Sequence, residues 1–142
     1  MLDILRADKG ETSRLTDLPA MAARLANDRL DITVAMTGEL ADLPTELHHN
    51  AFRIAQEALA NVIRHSVADR AIVRITANSR DLTVVVDDNG RSKPGGEPPT
   101  QRNGLTGMAD RVRVLGGTFA AGPQDPHGWR VRATFPVRSA VR

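Results

Sequence analysis

The sequence predicts an α+β domain with helices laid on one face of a mixed sheet. Three segments repeat apolar residues at helical spacing, five shorter ones alternate apolar with polar residues, and 142 residues suit one domain with a real core. No internal repeat is visible.

The opening stretch, "MLDILRADKGET", carries a short apolar pattern at Leu2 and Leu5 that breaks off at Gly10. It reads as the last turn of something longer, so residues 1–15 are expected to be the remnant of a preceding segment. From Thr16 to Leu30, Leu18, Met21, Ala22 and Leu25 recur at helical spacing, with Thr16 or Asp17 available as N-cap. "DITVAMTG" alternates Ile32, Val34 and Met36 with polar or small residues and reads as a strand closed by Gly38.

A long helix follows from about Thr45 to Ser66, free of Gly and Pro. Two strands, Ala71 to Ala77 and Leu82 to Asp87, are joined by a tight turn around Ser79 to Asp81. Between Asp87 and Gly104 run eighteen residues without an apolar side chain, with four Gly and three Pro. Such connections in compact domains are functional lids or disordered. Leu105, Met108, Val112 and Leu115 restore helical spacing up to the Gly116–Gly117 stop. Strands around Thr118 to Ala121 and Trp129 to Val137 complete the pattern, leaving 139–142 as a tail.

Composition narrows the function. With three Phe, one Trp and no Tyr, few aromatic platforms exist for stacked bases, which argues against nucleic acid as a partner. Net charge is +2 and no block of five like charges occurs, so anionic ligands are welcome without a DNA footprint being demanded. There is no cysteine, and His48, His49, His65 and His127 lack zinc-ligand spacing. No apolar run approaches the ~20 residues that span a bilayer.

On the long helix, Ala51, Phe52, Ala55, Ala58, Leu59, Val62 and Ile63 fill one side at about 100° per residue. Arg53, Glu57, Asn61, Arg64 and His65 fall in a sector of roughly 120° on the other. A solvated face would explain the charges. Asn61 fits that poorly, because asparagine is a mediocre helix former while its amide oxygen suits a hard cation such as Mg²⁺. The helix alone does not decide between the two.

In "LTVVVDDNG", alternation puts Asp88 on the face of Leu82, Val84 and Val86, and Asp87 on the other. A carboxylate at the edge of an apolar layer needs a donor, and a purine amine is a suitable one. "DDNG" is also an ordinary turn sequence. The following glycine-rich stretch and then "NGLTGM", opening a helix, favour a site, since Gly104 and Gly107 permit close backbone approach and free helix N–H groups favour phosphate.

Taken in order, "FRIAQEALANVIRHS", "VDDNG" and "NGLTGMADRVRVLGG" resemble the catalytic, ATP-binding domain of sensor histidine kinases, most similarly the nitrate-sensor type, within the superfamily of gyrase, Hsp90 and mismatch-repair ATPases. The resemblance covers about Leu18 to Val137 and assigns the ATPase domain to 16–138. It implies a Bergerat-type two-layer α/β sandwich: a mixed, mostly antiparallel sheet of about five strands under about three helices, with a flexible ATP lid. By position, Asn61 would be the Mg²⁺ ligand and Glu57 would polarise the attacking group or its water. Arg64 and His65 would stand near the phosphates; Arg102, at a position that departs from the family pattern, could contact phosphate instead. Asp88 would bind adenine, Gly90 would let the base lie against the backbone, and Gly104, Leu105, Gly107 and Met108 would form the second glycine box. Three positions depart from the pattern: Ser92 and Arg102 stand where glycine is usual, and Trp129 follows Gly128 where threonine is common.

The implied cofactors are ATP and Mg²⁺. The implied partners are a histidine-bearing dimerisation domain of the same parent protein and a downstream response regulator. The two-helix dimerisation segment that bears the phosphoacceptor is not recognised in this sequence, and no histidine here has that setting, so the isolated domain is expected to be monomeric, to bind nucleotide and to turn it over poorly. A cytoplasmic location is expected, whether or not the parent is anchored in a membrane. A serine kinase of anti-sigma-factor type and a non-catalytic nucleotide-sensing module are the alternatives.

Overall fold

Period-two alternation builds a five-stranded sheet from β1 (Asp31–Gly38), β2 (Arg70–Ala77), β3 (Asp81–Asp88), β4 (Thr118–Pro123) and β5 (Trp129–Pro136), in the order β1-β2-β3-β5-β4. The computed structural model describes residues 13–91, 104–124 and 126–137. Only β1 and β2 run parallel, because a helix crosses between them; the other pairs are antiparallel. The helices are α1 (Leu18–Leu25, entered through a 3-10 turn at Leu15–Asp17), α2 (Thr45–His65) and α3 (Leu105–Val114). This is the expected α+β sandwich, and no described helix is long and apolar enough to cross a membrane. The expected lid segment, with Ser92 and Arg102, lies outside the described residues.

The inward face of the sheet is assembled in rows. Val73, Val86 and Val131 stand in register, as do Ile75, Val84 and Ala133, and Ala77, Leu82 and Phe135. All are at most 5% exposed. Across this face lies α2, which buries Ala51, Phe52, Ile54, Ala55, Ala58, Leu59 and Val62. Each large apolar side chain among them contributes roughly 1.5–3 kcal/mol, so α2 is held by packing rather than by its own propensity. On the outward face Arg130 donates to both oxygens of Asp87, at 2.6 and 2.8 Å, and Arg74 adds a bond at 3.2 Å. Asp87 is thereby fixed outward, which leaves the next residue, Asp88, facing in.

Two details differ from the sequence reading. The first helix ends at Leu25 rather than Leu30, because Asn27 Oδ1 accepts the N–H groups of Arg29 and Leu30 at 2.7 and 3.0 Å and turns the chain. Among the described residues no helix covers Ile63. That residue is 38% exposed and borders an open cavity of about 290 Å³ with the Asn27–Leu30 loop, while Ile54 takes a core place instead. The β2–β3 turn is closed by Asn78, whose Oδ1 accepts from Arg80 and Asp81.

His48 joins the start of the fold to α2. It is 2% exposed, and its Nδ1 accepts the N–H of Leu15 at 3.2 Å. Only a neutral ring can accept there. Burial first, and then the positive charge of Arg14, lower its pKa from 6.5, against smaller opposing effects of the Leu40 backbone and Asp17. Since the unfolded chain binds this proton more readily than the folded one, the contribution of His48 is complete above about pH 6.5 and is lost as the pH falls through the lowered folded value. The melting temperature is therefore expected to fall more steeply between about pH 7 and about pH 5 in the parent chain than in His48→Gln, which accepts without titrating in that range. Parallel slopes in thermal melts of the two proteins would contradict this role for His48.

Candidate functional site

The end of β3 delivers a carboxylate into the core layer. Asp88 is 7% exposed and stands in register between Ala71 of β2 and Trp129 of β5. A charge placed there needs donors, since an uncompensated buried carboxylate costs several kcal/mol, or about that order. Its Oδ1 accepts the Gly90 N–H at 2.8 Å and the Ser66 hydroxyl at 3.4 Å. Ser66 is the residue that ends α2. The carboxylate is thus bound both to its own turn and to the helix above it.

That helix supplies the second group. Asn61 is 3% exposed, which decides against the solvated face that the helical wheel left open. Its Oδ1 accepts Arg64 Nη2 at 3.3 Å, and the same nitrogen reaches Glu57 Oε2 at 3.5 Å. Asn61 Nδ2 is buried and has no hydrogen-bond partner among the described residues. Arg64 and Glu57 have side chains 43% and 35% exposed, so their ion pair is worth well under about 1 kcal/mol. A guanidinium resting this lightly on two oxygens is easily displaced by another cation.

The residues fit Mg²⁺ in a limited way. The amide oxygen of Asn61 is a neutral ligand of the kind a hard cation takes, and its one contact among the described residues is the Arg64 guanidinium at 3.3 Å. Among the described residues there is no cluster of three or more His, Cys, Asp or Glu, so water and phosphate oxygens would have to complete the shell.

Glycines close the other side. Gly104 caps α3 with φ 93°, and a Cβ there would lie 2.7 Å from Glu57 Oε2. Glu57, Gly104, Gly107 and Met108 share a cleft of about 150 Å³ with Arg53 and Arg111. The Met108 N–H is already bonded to the Gly104 carbonyl at 2.8 Å, which leaves the N–H groups before it at the open end of α3. Leu105 packs against the core from the same turn. Gly90 has a different reason to be glycine: a Cβ would lie 2.4 Å from Ser66 Oγ and 2.6 Å from Ala68 N.

Most of the sequence-derived residues therefore gather in two groups on α2. Glu57, Asn61, Arg64, Gly104, Gly107 and Met108 make one, and Asp88 with Gly90 the other. His65 is half-buried at the end of the helix, and Arg102 lies outside the described residues. Sequence reasoning passed over Ser66 as a site residue. Its partner is 22 positions away, and a serine closing a helix carries no signal of its own.

Comparison with known proteins places the chain in a family and a shared fold. Residues 46–139 match the family described as histidine kinase-, DNA gyrase B- and HSP90-like ATPase. The signal transduction histidine-protein kinase/phosphatase UhpB of Salmonella typhimurium is 37% identical over 87 residues, a match covering 61% of this chain and 17% of that one. This chain therefore spans less than a fifth of that relative. The fold is shared with the blue-light activated histidine kinase of Erythrobacter litoralis (TM-score 0.66, 21% identity, 96% of this chain and 46% of that one). It is also shared with the ATP binding domain of PrrB from Mycobacterium tuberculosis (TM-score 0.58, 23% identity, 89% and 96%).

The two glycines of the cleft should respond oppositely to alanine. Gly104→Ala forces a side chain into positive φ and against Glu57, and is expected to lower stability by about 1–2 kcal/mol. Gly107, with nothing within 4 Å of its missing Cβ, should gain about 0.5–1 kcal/mol from the helix-favouring substitution. Urea unfolding of both variants checks this; a destabilised Gly107→Ala would show that the α3 terminus is built differently.

Proposed function

This chain belongs to the histidine kinase-, DNA gyrase B- and HSP90-like ATPase family, and we propose that within it the chain is the ATP·Mg²⁺-binding catalytic domain of a two-component sensor histidine kinase. In this reading residues 16–138 form the ATPase unit, and the γ-phosphoryl group passes to a histidine on a dimerisation domain of the same parent protein. A response regulator acts downstream. The observation that carries the reading is the pairing of an inward, 7% exposed carboxylate at the end of β3 with a buried asparagine on the helix packed above it. The wording of "QEALANVIRH" supports the nitrate-sensor type.

Each residue then has a chemical task. Asp88 accepts a hydrogen bond from the adenine amine, while the turn at Gly90 brings backbone close to the base. Asn61 offers its amide oxygen to the metal, which is reached by turning the terminal amide or displacing Arg64. Mg²⁺, when bound with the nucleotide, neutralises phosphate charge. Arg64, released from Asn61 and Glu57, reaches phosphate oxygens, as do His65 and Arg102. The open N–H groups at the start of α3, around Gly104, Leu105 and Gly107, cradle phosphate, and Met108 lines the cleft below. Glu57 polarises the attacking group or its water. Phosphoryl transfer is chiefly positioning and charge neutralisation, so this modest set is sufficient.

Titration with a fluorescent ATP analogue, with and without Mg²⁺, tests the reading: saturable, Mg²⁺-strengthened binding is expected, and absence of binding overturns it. Asp88→Asn should weaken binding by a factor on the order of 100 or more, whereas Asn61→Ala should chiefly remove the Mg²⁺ effect. Turnover by the chain alone is expected below roughly 1 s⁻¹. Added histidine-bearing helical segment should acquire an acid-labile phosphoryl group; an acid-stable product would point to a serine acceptor instead.

A further inference from the structure

The geometry points to Ser66 as a positioning residue that sets base specificity by holding Asp88 in one orientation, an inference that rests on the nucleotide-binding reading above. The carboxylate could otherwise rotate about its Cβ–Cγ bond and present either oxygen, at varying angle, to a ligand. Two donors on the same oxygen restrict that rotation. The Gly90 N–H approaches Oδ1 from the turn at 2.8 Å, and the Ser66 hydroxyl approaches it from the end of α2 at 3.4 Å. Both residues are buried, Ser66 at 7% exposure, so neither bond competes freely with bulk water.

The surroundings allow little adjustment. Ser66 Oγ lies where a Gly90 side chain would be, and the Val67 N–H bonds the Arg91 carbonyl at 2.8 Å, so the segment after α2 is laced to the segment after β3. Asp88 is walled on either side by Ala71 and Trp129. Ser66 also ends the helix that carries Asn61, five residues earlier or about 7.5 Å along the axis. The hydroxyl is consequently the side-chain link between the helix of the metal-binding amide and the strand of the base-reading carboxylate.

A carboxylate so held is an acceptor with fixed direction. It rewards a purine bearing a 6-amino donor and penalises one bearing a 6-oxo acceptor, and the sharper the alignment, the larger that difference. Ser66 contributes to the difference through Asp88 without touching the base. A purely structural serine would affect all nucleotides alike.

The test compares the full 142-residue chain with its Ser66→Ala variant, using ATP, inosine triphosphate and purine riboside triphosphate, which lacks the 6-substituent, at fixed Mg²⁺. In Ser66→Ala, affinity for ATP should fall roughly tenfold, that for purine riboside triphosphate by less than about twofold, and ATP-over-inosine discrimination should narrow by roughly the same tenfold. Ser66→Cys keeps the side-chain size while substituting a weak donor, and should give the same narrowing if the alanine variant does not fold. Unchanged discrimination, or equal loss for all three nucleotides, in a variant that still melts cooperatively overturns the inference and leaves nucleotide binding standing. Failure of the parent chain to bind any of the three overturns the functional reading and this inference with it.

Discussion

A buried carboxylate at the end of an apolar strand is the constraint around which this structure is arranged. Removing Asp88 from water has a cost of several kcal/mol, or about that order, unless donors replace the water, and a sheet face lined by Val84 and Val86 offers none. The replacements come from elsewhere in the chain: the Gly90 N–H from the turn and the Ser66 hydroxyl from the end of α2. Both depend on α2 ending where it does and on Gly90 being small enough to lie against it. Strand parity is secured from the opposite face, where Arg130 and Arg74 hold Asp87 outward. A slip of one residue in β3 would exchange the two aspartates and turn Val84 and Val86 toward solvent, so the core and the site enforce the same register.

The same economy governs α2. Its apolar residues are the cover of the sheet, and two of its buried polar residues, Asn61 and the terminal Ser66, carry the contacts to Arg64 and Asp88. Burial of Phe52, Ile54 and Leu59 fixes the helix with several kcal/mol to spare over the cost of a few imperfectly satisfied polar atoms, or so the usual magnitudes of roughly 1.5–3 kcal/mol per side chain indicate. The half-satisfied amide of Asn61 is tolerable for that reason. A helix held only by its own propensity could not carry it.

Much of this was legible in the sequence, and the failures have a common physical origin. The five strands, the long helix and the inward direction of Asp88 follow from local periodicity, which depends on residues within one element. The order of motifs identified the family because the spacing of Asn61, Asp88 and Gly104 is itself sequence information. What was missed depends on contacts between elements. The wheel left open whether the sector of Asn61 was wet or walled, because burial is set by what packs beside a helix as well as by its angle. Ser66 and His48 have their partners 22 and 33 positions away. The early end of α1 is a local event, but Asn27 competes with helix through its own side chain, which apolar spacing does not register.

The two ends of the site differ in how firmly they are built, and the difference suits phosphoryl transfer. Around Asp88 the bonds are buried, short chain segments are laced together, and a misaligned base would meet an acceptor that does not turn. Around Asn61 the partner is half-exposed: the guanidinium of Arg64 is open to water, and its pairing with Glu57 at 3.5 Å is worth at most about 1 kcal/mol. Such a contact screens two acceptor oxygens in the absence of a ligand and yields at little cost when charged phosphates arrive. In the proposed reading the base meets a preformed surface, while the phosphate end rearranges around each nucleotide as it binds and leaves. A kinase domain that must release its spent nucleotide after each transfer gains from this asymmetry, because rigid complementarity at both ends would hold the product as tightly as the substrate.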